Sequence, residues 1–246
     1  MKIEQTDWFP DARRAIRSGC RVEGGGVHAS KTMMLPAASI LLAQPAVLNV
    51  RELRRRVLDE NILSMGSLSA RLTTFCKLVQ LYGLNTASIL TRGLITLWPV
   101  STARPMLAIV CAVARDPLLR VSAAAIFNTK VGERVSSHEI RSVLEVKLAG
   151  RFRESTMAAL AQRCVSSWAQ AGYVTSGPER LRQRAVADPH AAAYAALVAI
   201  ESGFVGQSIL ASPWLELLDV EPTIRLRAGF KSLSSVAVLC GSSHDH

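Results

Sequence analysis

Apolar positions in this chain recur at three- and four-residue steps rather than at alternate positions, so the pattern predicts helices almost throughout. Met33–Ala43 gives a short first helix, broken by Pro36 and closed before Pro45. Asn49 caps a second, Val50–Leu58, with Glu52 as capping partner and Val50, Leu53, Val57 and Leu58 inward. Ser67 opens Leu68–Tyr82, whose stripe of Leu68, Leu72, Phe75, Val79 and Tyr82 faces a core and stops at Gly83. Asn85 caps a helix from Thr86 to about Trp98, stopped by Pro99. These helices make a bundle over 29–100, and Val100–Ala103 reads as a short junction to a second domain, 101–240.

Pro105 starts a helix, MLAIVCAVA, too apolar for a surface. Asp116-Pro117 is a cap followed by proline at the first helical position, and begins a helix to about residue 128. Ser136 and Glu139 form a capping box for Ser137–Ala149, which buries Ile140, Val143, Leu144 and Leu148 and ends at Gly150. Asp188-Pro189 caps His190–Ser202, with Tyr194, Leu197 and Val198 inward and Gly203 at its end. Ser212-Pro213 starts a short helix with Trp214, Leu217 and Leu218, and Pro222 a last one marked by Ile224, Leu226 and Phe230. Val236–Cys240 suggests a closing strand, and 241–246 a polar tail.

Between these lies the stretch that carries the functional expectation. Ser155–Ala171 is a helix with Leu160, Cys164, Val165, Trp168 and Ala171 toward a core. Its other face holds Thr156, Ala159, Gln162, Arg163, Ser166, Ser167 and Gln170, with no carboxylate after Glu154. Tyr173-Val174, a Ser176-Gly177-Pro178 turn and Leu181–Val186 follow as a hairpin. Helix, turn, helix and hairpin over about 136–187 make a winged helix-turn-helix with a small β-hairpin wing. The acid-free helix is then the one that enters a major groove. Gln162, Ser166, Ser167 and Gln170 suit base edges or phosphates, with Arg163, Arg151, Arg153 and Thr156 beside them. Arg180, Arg182 and Arg184 alternate, which puts three guanidiniums on one strand face toward phosphates. Arg51, Arg54, Arg55 and Arg56 form a possible second basic patch, or a solvated face balanced by Asp59 and Glu60.

Composition agrees. Aromatic residues are 5% of a chain that is 49% apolar, so Ala and Leu supply the core and the fold class is all-α. The formal charge is +10, from 29 Lys+Arg against 19 Asp+Glu, which points to a polyanionic partner, nucleic acid before membrane. Residues 1–28 are polar, basic and glycine-rich, and read as a flexible tail. GGVHASKT within 25–32 imitates a phosphate-binding loop, but Ser30 stands where the second glycine belongs and no strand leads in. No signal-peptide pattern or bilayer-length apolar run is seen, so the expected compartment is the cytoplasm. Cys20, Cys76, Cys111, Cys164 and Cys240 are scattered without a CxxC pair, and read as small buried hydrophobes in a reducing compartment. His28, His138, His190, His244 and His246 accompany no HExxH or GxSxG motif. No catalytic residue, metal site or cofactor is expected.

The run DENILSMGSLSARLTTFCKLVQLYGL resembles the N-terminal signature of the BrxA-type proteins of bacterial BREX phage-defence systems, at Asn61, Leu63, Ser67, Ser69, Arg71, Leu81 and Tyr82. RPMLAIVCAVARDPLLR and GRFRESTMAALAQRCVSSWAQAGYV resemble the middle of that family, with Ser155, Trp168 and Gly172 at the matching helix start and end. The similarity covers roughly 30–220, and FKSLSSVAVLCGSSHDH departs from it. It implies a two-part all-helical protein with a winged-helix element that binds double-stranded DNA and has no enzymatic activity. Its companions would be a methyltransferase, an ATPase and a phosphatase-like component of a defence operon. A protein-interaction scaffold assembling such components, or an RNA-binding helical protein of the antiterminator type, are the alternatives.

Overall fold

Alanine-rich helices can approach one another closely, and two of them form the centre of this protein. A computed structural model describes residues 7–44, 49–86, 88–148, 150 and 152–220. Among them the helices are α1 (Ala12–Ser18), α2 (Leu35–Leu42), α3 (Val50–Leu58), α4 (Leu68–Tyr82), α5 (Ile89–Leu97) and α6 (Arg104–Arg115). These are followed by α7 (Pro117–Asn128), α8 (Ser137–Lys147), α9 (Glu154–Gln170), α10 (Pro189–Glu201) and α11 (Pro213–Glu216). The expected helix from Pro222, the strand Val236–Cys240 and the tail 241–246 lie outside the described residues.

α6 is buried from Met106 to Arg115 and α10 from Ala191 to Ala199, which leaves neither helix a solvent face along those stretches. α10 packs on α5 and α6, and Gly93 of α5 allows the approach: a Cβ there would stand 2.6 Å from Leu197 Cδ2. Trp98, Trp168, Trp214, Tyr82, Tyr173 and Tyr194 are the largest fully buried side chains. The polar tips of three of them have these partners: Tyr82 OH donates to Met33 O at 2.8 Å, Tyr194 OH to Leu90 O at 3.1 Å and Trp168 Nε1 to Ser122 Oγ at 2.8 Å. One continuous apolar core runs from Phe9 to Leu218, so the junction at Val100–Ala103 does not interrupt the packing.

The expected flexible tail is not what residues 7–28 form. Phe9, Ala15, Cys20, Val27 and His28 are buried, and Trp8 and Phe9 pack on Trp214 with ring centroids 4.8 and 5.6 Å away. Two buried arginines grip this arm through its carbonyls. Arg120 donates to Arg21 O at 2.8 Å and Val22 O at 2.7 Å, and Arg115 to Gly19 O. Polar composition misled here because the arm is held by hydrogen bonds to backbone and by a few apolar anchors, not by a periodic stripe.

Helix ends agree with local chemistry more often than helix faces do. Ser67, Ser136, Asp116 and Asp188 are N-caps as expected, and Ser136 with Glu139 makes a capping box. Ser88 rather than Asn85 caps α5, and Pro36 lies in the first turn of α2 instead of breaking it. In α4, Leu68 and Leu72 are exposed while Leu78 and Leu81 join Phe75 and Tyr82 in the core. The expected stripe was therefore rotated at its N-terminal end.

Asp188 does more than cap. Its Oδ1 accepts the Ala191 N–H at 2.7 Å, and its Oδ2 accepts Ser101 Oγ at 2.9 Å, Thr102 N at 2.7 Å and Ala103 N at 3.2 Å. Burial pushes the carboxyl up, but these donors outweigh it and hold it down at about 2. A free aspartate titrates near 4, so this stability is present above about pH 4 and is lost as pH falls toward 2. Asp188→Ala is expected to lower stability at pH 7 by about 2 kcal/mol, from a lost cap and stranded donors. Urea unfolding at pH 7 and pH 3 checks this: the variant's deficit should shrink at the lower pH.

Candidate nucleic-acid interface

α7, α8 and α9 are followed by a chain reversal over 173–183 that pairs in two directions. Thr175 N donates to Leu181 O and Gln183 N to Tyr173 O, both at 2.9 Å. On the other side Arg182 N donates to Glu133 O, Gly132 N to Arg182 O and Val135 N to Arg180 O, each at 2.8 Å. The pairing amounts to two isolated bridges, Arg134 with Leu181 and Val174 with Arg182. The expected β-hairpin wing is thus not formed as strands among the described residues. Arg180 sits at φ 50, in left-handed backbone that ends regular extension on one side.

That irregularity overturns the three-arginine strand face. Arg182 is 3% exposed, with Nε on Ile126 O at 3.1 Å and Nη1 on Asp219 Oδ2 at 2.9 Å. Its guanidinium lies 5.3 Å from the Phe127 ring centroid and 5.5 Å from that of Tyr173. It is a buried ion pair in an aromatic setting, not a phosphate contact. Arg180 is half-buried, and Arg184 is exposed with Nη1 3.3 Å from Asp219 O.

The core side of α9 is as expected: Leu160, Cys164, Val165 and Trp168 are buried, and Trp168 meets Phe127 and Tyr173 edge to face at 6.1 and 5.0 Å. Its polar side divides in two. Arg153 and Gln162 are exposed, Thr156 and Ser166 half-buried, and Gln162 Nε2 reaches Ser137 Oγ at 3.0 Å. The later part is met by residues 29–35, which continue the arm into α2. Arg163 Nη1 donates to Ala29 O at 2.7 Å, the Met33 N–H to Ser167 Oγ at 2.9 Å, and the Leu35 N–H to Gln170 Oε1 at 2.8 Å. Buried Ser167 and half-buried Arg163 and Gln170 thus bind this chain's own backbone. Arg151 lies outside the described residues.

Beneath that contact is a group the sequence did not suggest. His28 Nδ1 is 2.7 Å from Asp116 Oδ2, and its Nε2 is 2.8 Å from Ser167 Oγ; all three side chains are fully buried. Asp116 Oδ2 also accepts the His28 N–H at 2.9 Å, while Oδ1 caps α7 through the Leu118 N–H at 3.0 Å. Ser167 Oγ has a further partner in Arg163 O at 3.0 Å. Burial pushes the Asp116 carboxyl up, but the charge and hydrogen bonds of His28 outweigh it, and the net shift is downward. Gly26 is required beside it, since a Cβ there would overlap the Asp116 carboxylate. The trio has the residue types of a nucleophile, base and orienting acid, yet no solvent reaches the serine, so it serves as a lock between arm, α7 and α9. The Asp-Pro cap was legible; its second partner, 88 residues away, was not.

The second basic patch is also half neutralised. Arg55 pairs with Glu52 and Glu60 at 2.8 Å each and Arg56 with Glu60 at 3.5 Å, whereas Arg51 and Arg54 are exposed with no ion pair among the described residues. Cys20, Cys111 and Cys164 are buried, and burial pushes the Cys20 thiol up to about 12; Cys76 is exposed, against expectation, and Cys240 lies outside the described residues. His138 is exposed, and His190 Nδ1 stands 3.6 Å from Asp188 Oδ2. Among the described residues no helix is long and apolar enough to cross a membrane. Compared with known proteins, the chain matches no family model and no curated protein.

Proposed function

We propose that the protein is a non-enzymatic double-stranded-DNA-binding accessory protein, and that it acts in a BREX-like phage-defence system. The observation that carries the reading is the order α7, paired segment 132–135, α8, α9, reversal 173–183, in a chain of charge +10. A winged helix has its helices in that order; here two isolated bridges, with no strand among the described residues, stand where its hairpin would be. The more open side of α9, with exposed Arg153 and Gln162 and half-buried Thr156 and Ser166, is the part such a helix would put against base edges. Half-buried Arg180 in the reversal and exposed Arg184 just after it are the further basic side chains of this reading. The similarity of Asn61–Tyr82 and of 150–174 to BrxA-type sequences supports the defence setting.

The test is fluorescence anisotropy with a labelled duplex. Arg153→Ala with Arg180→Ala is expected to weaken binding regardless of DNA sequence and to reduce the salt slope by about two. Arg51→Ala with Arg54→Ala should have the smaller effect; the reverse order moves the DNA site to α3. A scaffold that docks a defence protein is the second reading, favoured by Leu68 and Leu72 standing exposed one turn apart on α4. Co-purification of a partner that survives nuclease and high salt, with no duplex binding, would establish it.

A further inference from the structure

Three arginines from three separate segments line one open groove of about 590 Å3: Arg21 of the arm, Arg54 of α3 and Arg115 of α6. Asn85 and Thr86, in the turn after α4, and Cys76 also line it, and among the described residues no carboxylate does. Arg115 is 9% exposed and set back from the surface, held by Gly19 O and by Gln80 O at 3.3 and 3.4 Å, all carbonyls. Among the described residues, the side chains of Arg21 and Arg54 have no hydrogen bond or ion pair. The contrast along α3 is informative: Glu60 pairs with Arg55 and Arg56, whereas Arg54 faces the groove unpaired.

Bringing like charges together without an acid is unfavourable unless an anion joins them. Guanidiniums suit phosphate in particular, because their N–H groups match its oxygens in pairs. The volume falls within that of small-molecule sites, roughly 300–1,000 Å3. We propose that this groove binds a phosphate-bearing small molecule of about nucleotide size. Its phosphate would lie among Arg21, Arg54 and Arg115, with Asn85 and Thr86 offering further hydrogen bonds. The recessed Arg115 favours a terminal phosphate over the phosphodiester of a broad duplex. Bound there, the ligand ties the N-terminal arm to α3 and α6, and stabilises the fold in proportion to its occupancy.

Cys76 supplies a local reporter, being the exposed cysteine among the described residues. The full chain is alkylated with iodoacetamide, and modification of Cys76 is followed by peptide mass spectrometry against increasing pyrophosphate or ADP, without metal. Saturable protection is expected in wild type, with a rise in Tm over the same concentrations. Arg54→Glu, at an exposed position, should raise the half-protecting concentration about tenfold or more, and Arg21→Glu likewise. Arg92→Glu, exposed on α5 and outside the groove, should leave it unchanged. Absence of saturable protection by either probe overturns the proposal, as does equal protection in Arg54→Glu and wild type. Protection by a blunt duplex at lower concentration than by pyrophosphate also overturns it, since the groove would then belong to the nucleic-acid path.

Discussion

Asp116→Asn is expected to lower the unfolding free energy by about 3–5 kcal/mol, a large share of what a domain has in total. The substitution keeps shape and removes charge. The amide oxygen can replace the carboxylate oxygen that now accepts the His28 N–H and ring at 2.9 and 2.7 Å, but the amide NH2 then faces the Leu118 and Leu119 N–H donors, 3.0 and 3.3 Å from Oδ1. None of the groups can turn to water, because His28, Asp116 and Ser167 are all fully buried. The loss should also be local in character. Met33 and Leu35 amides, which the arm presents to Ser167 and Gln170, should exchange faster with deuterium than amides in α10. Because the Asp116 carboxyl is held below its ordinary range, its contribution is present above about pH 4 and fades as pH falls below it. A urea midpoint within error of wild type at pH 7 would remove the lock from the account.

Arg182→Ala is expected to cost about as much, 3 kcal/mol or more, for two additive reasons. It leaves the Asp219 carboxylate, 2.9 Å from Nη1, without its ion-pair partner. It also opens space beside Phe127 and Tyr173, over which the guanidinium now lies. Denaturant unfolding followed by tryptophan fluorescence should show the shift. Arg184→Ala, at an exposed position, should move the midpoint little. Equal effects of the two substitutions would restore the three arginines to one face.

These two residues also show where sequence reading succeeds and where it stops. Caps were legible because a cap is a contact within three residues: Ser67 with Ala70, Ser136 with His138, Asp188 with Ala191. Asp116 was legible as a cap for the same reason. Its bond to His28 spans 88 residues, and that of Ser167 to His28 spans 139, and no local pattern encodes a pairing at such distance. Arg182 was misplaced by a parity argument that holds only in regular extended chain. With Arg180 at φ 50, alternation fails and the middle arginine turns inward. The same bias affected α9, whose face lacks carboxylates partly because backbone carbonyls and amides of the arm lie on it. An acid-free face is what a phosphate needs, and equally what a hydrogen-bonded arm allows. The hydrogen bonds separate the two: Arg163, Ser167 and Gln170 are engaged by the chain's own backbone, which leaves exposed Arg153 and Gln162, with half-buried Thr156 and Ser166, as the open portion of the candidate interface.

Whether this protein holds duplex DNA through the phosphates is read from a salt titration of binding. With about six phosphates engaged, affinity should fall on the order of a thousandfold between about 50 and 200 mM salt, and structured RNA should compete poorly. A flat response to salt, or no binding at low salt, would contradict the claim.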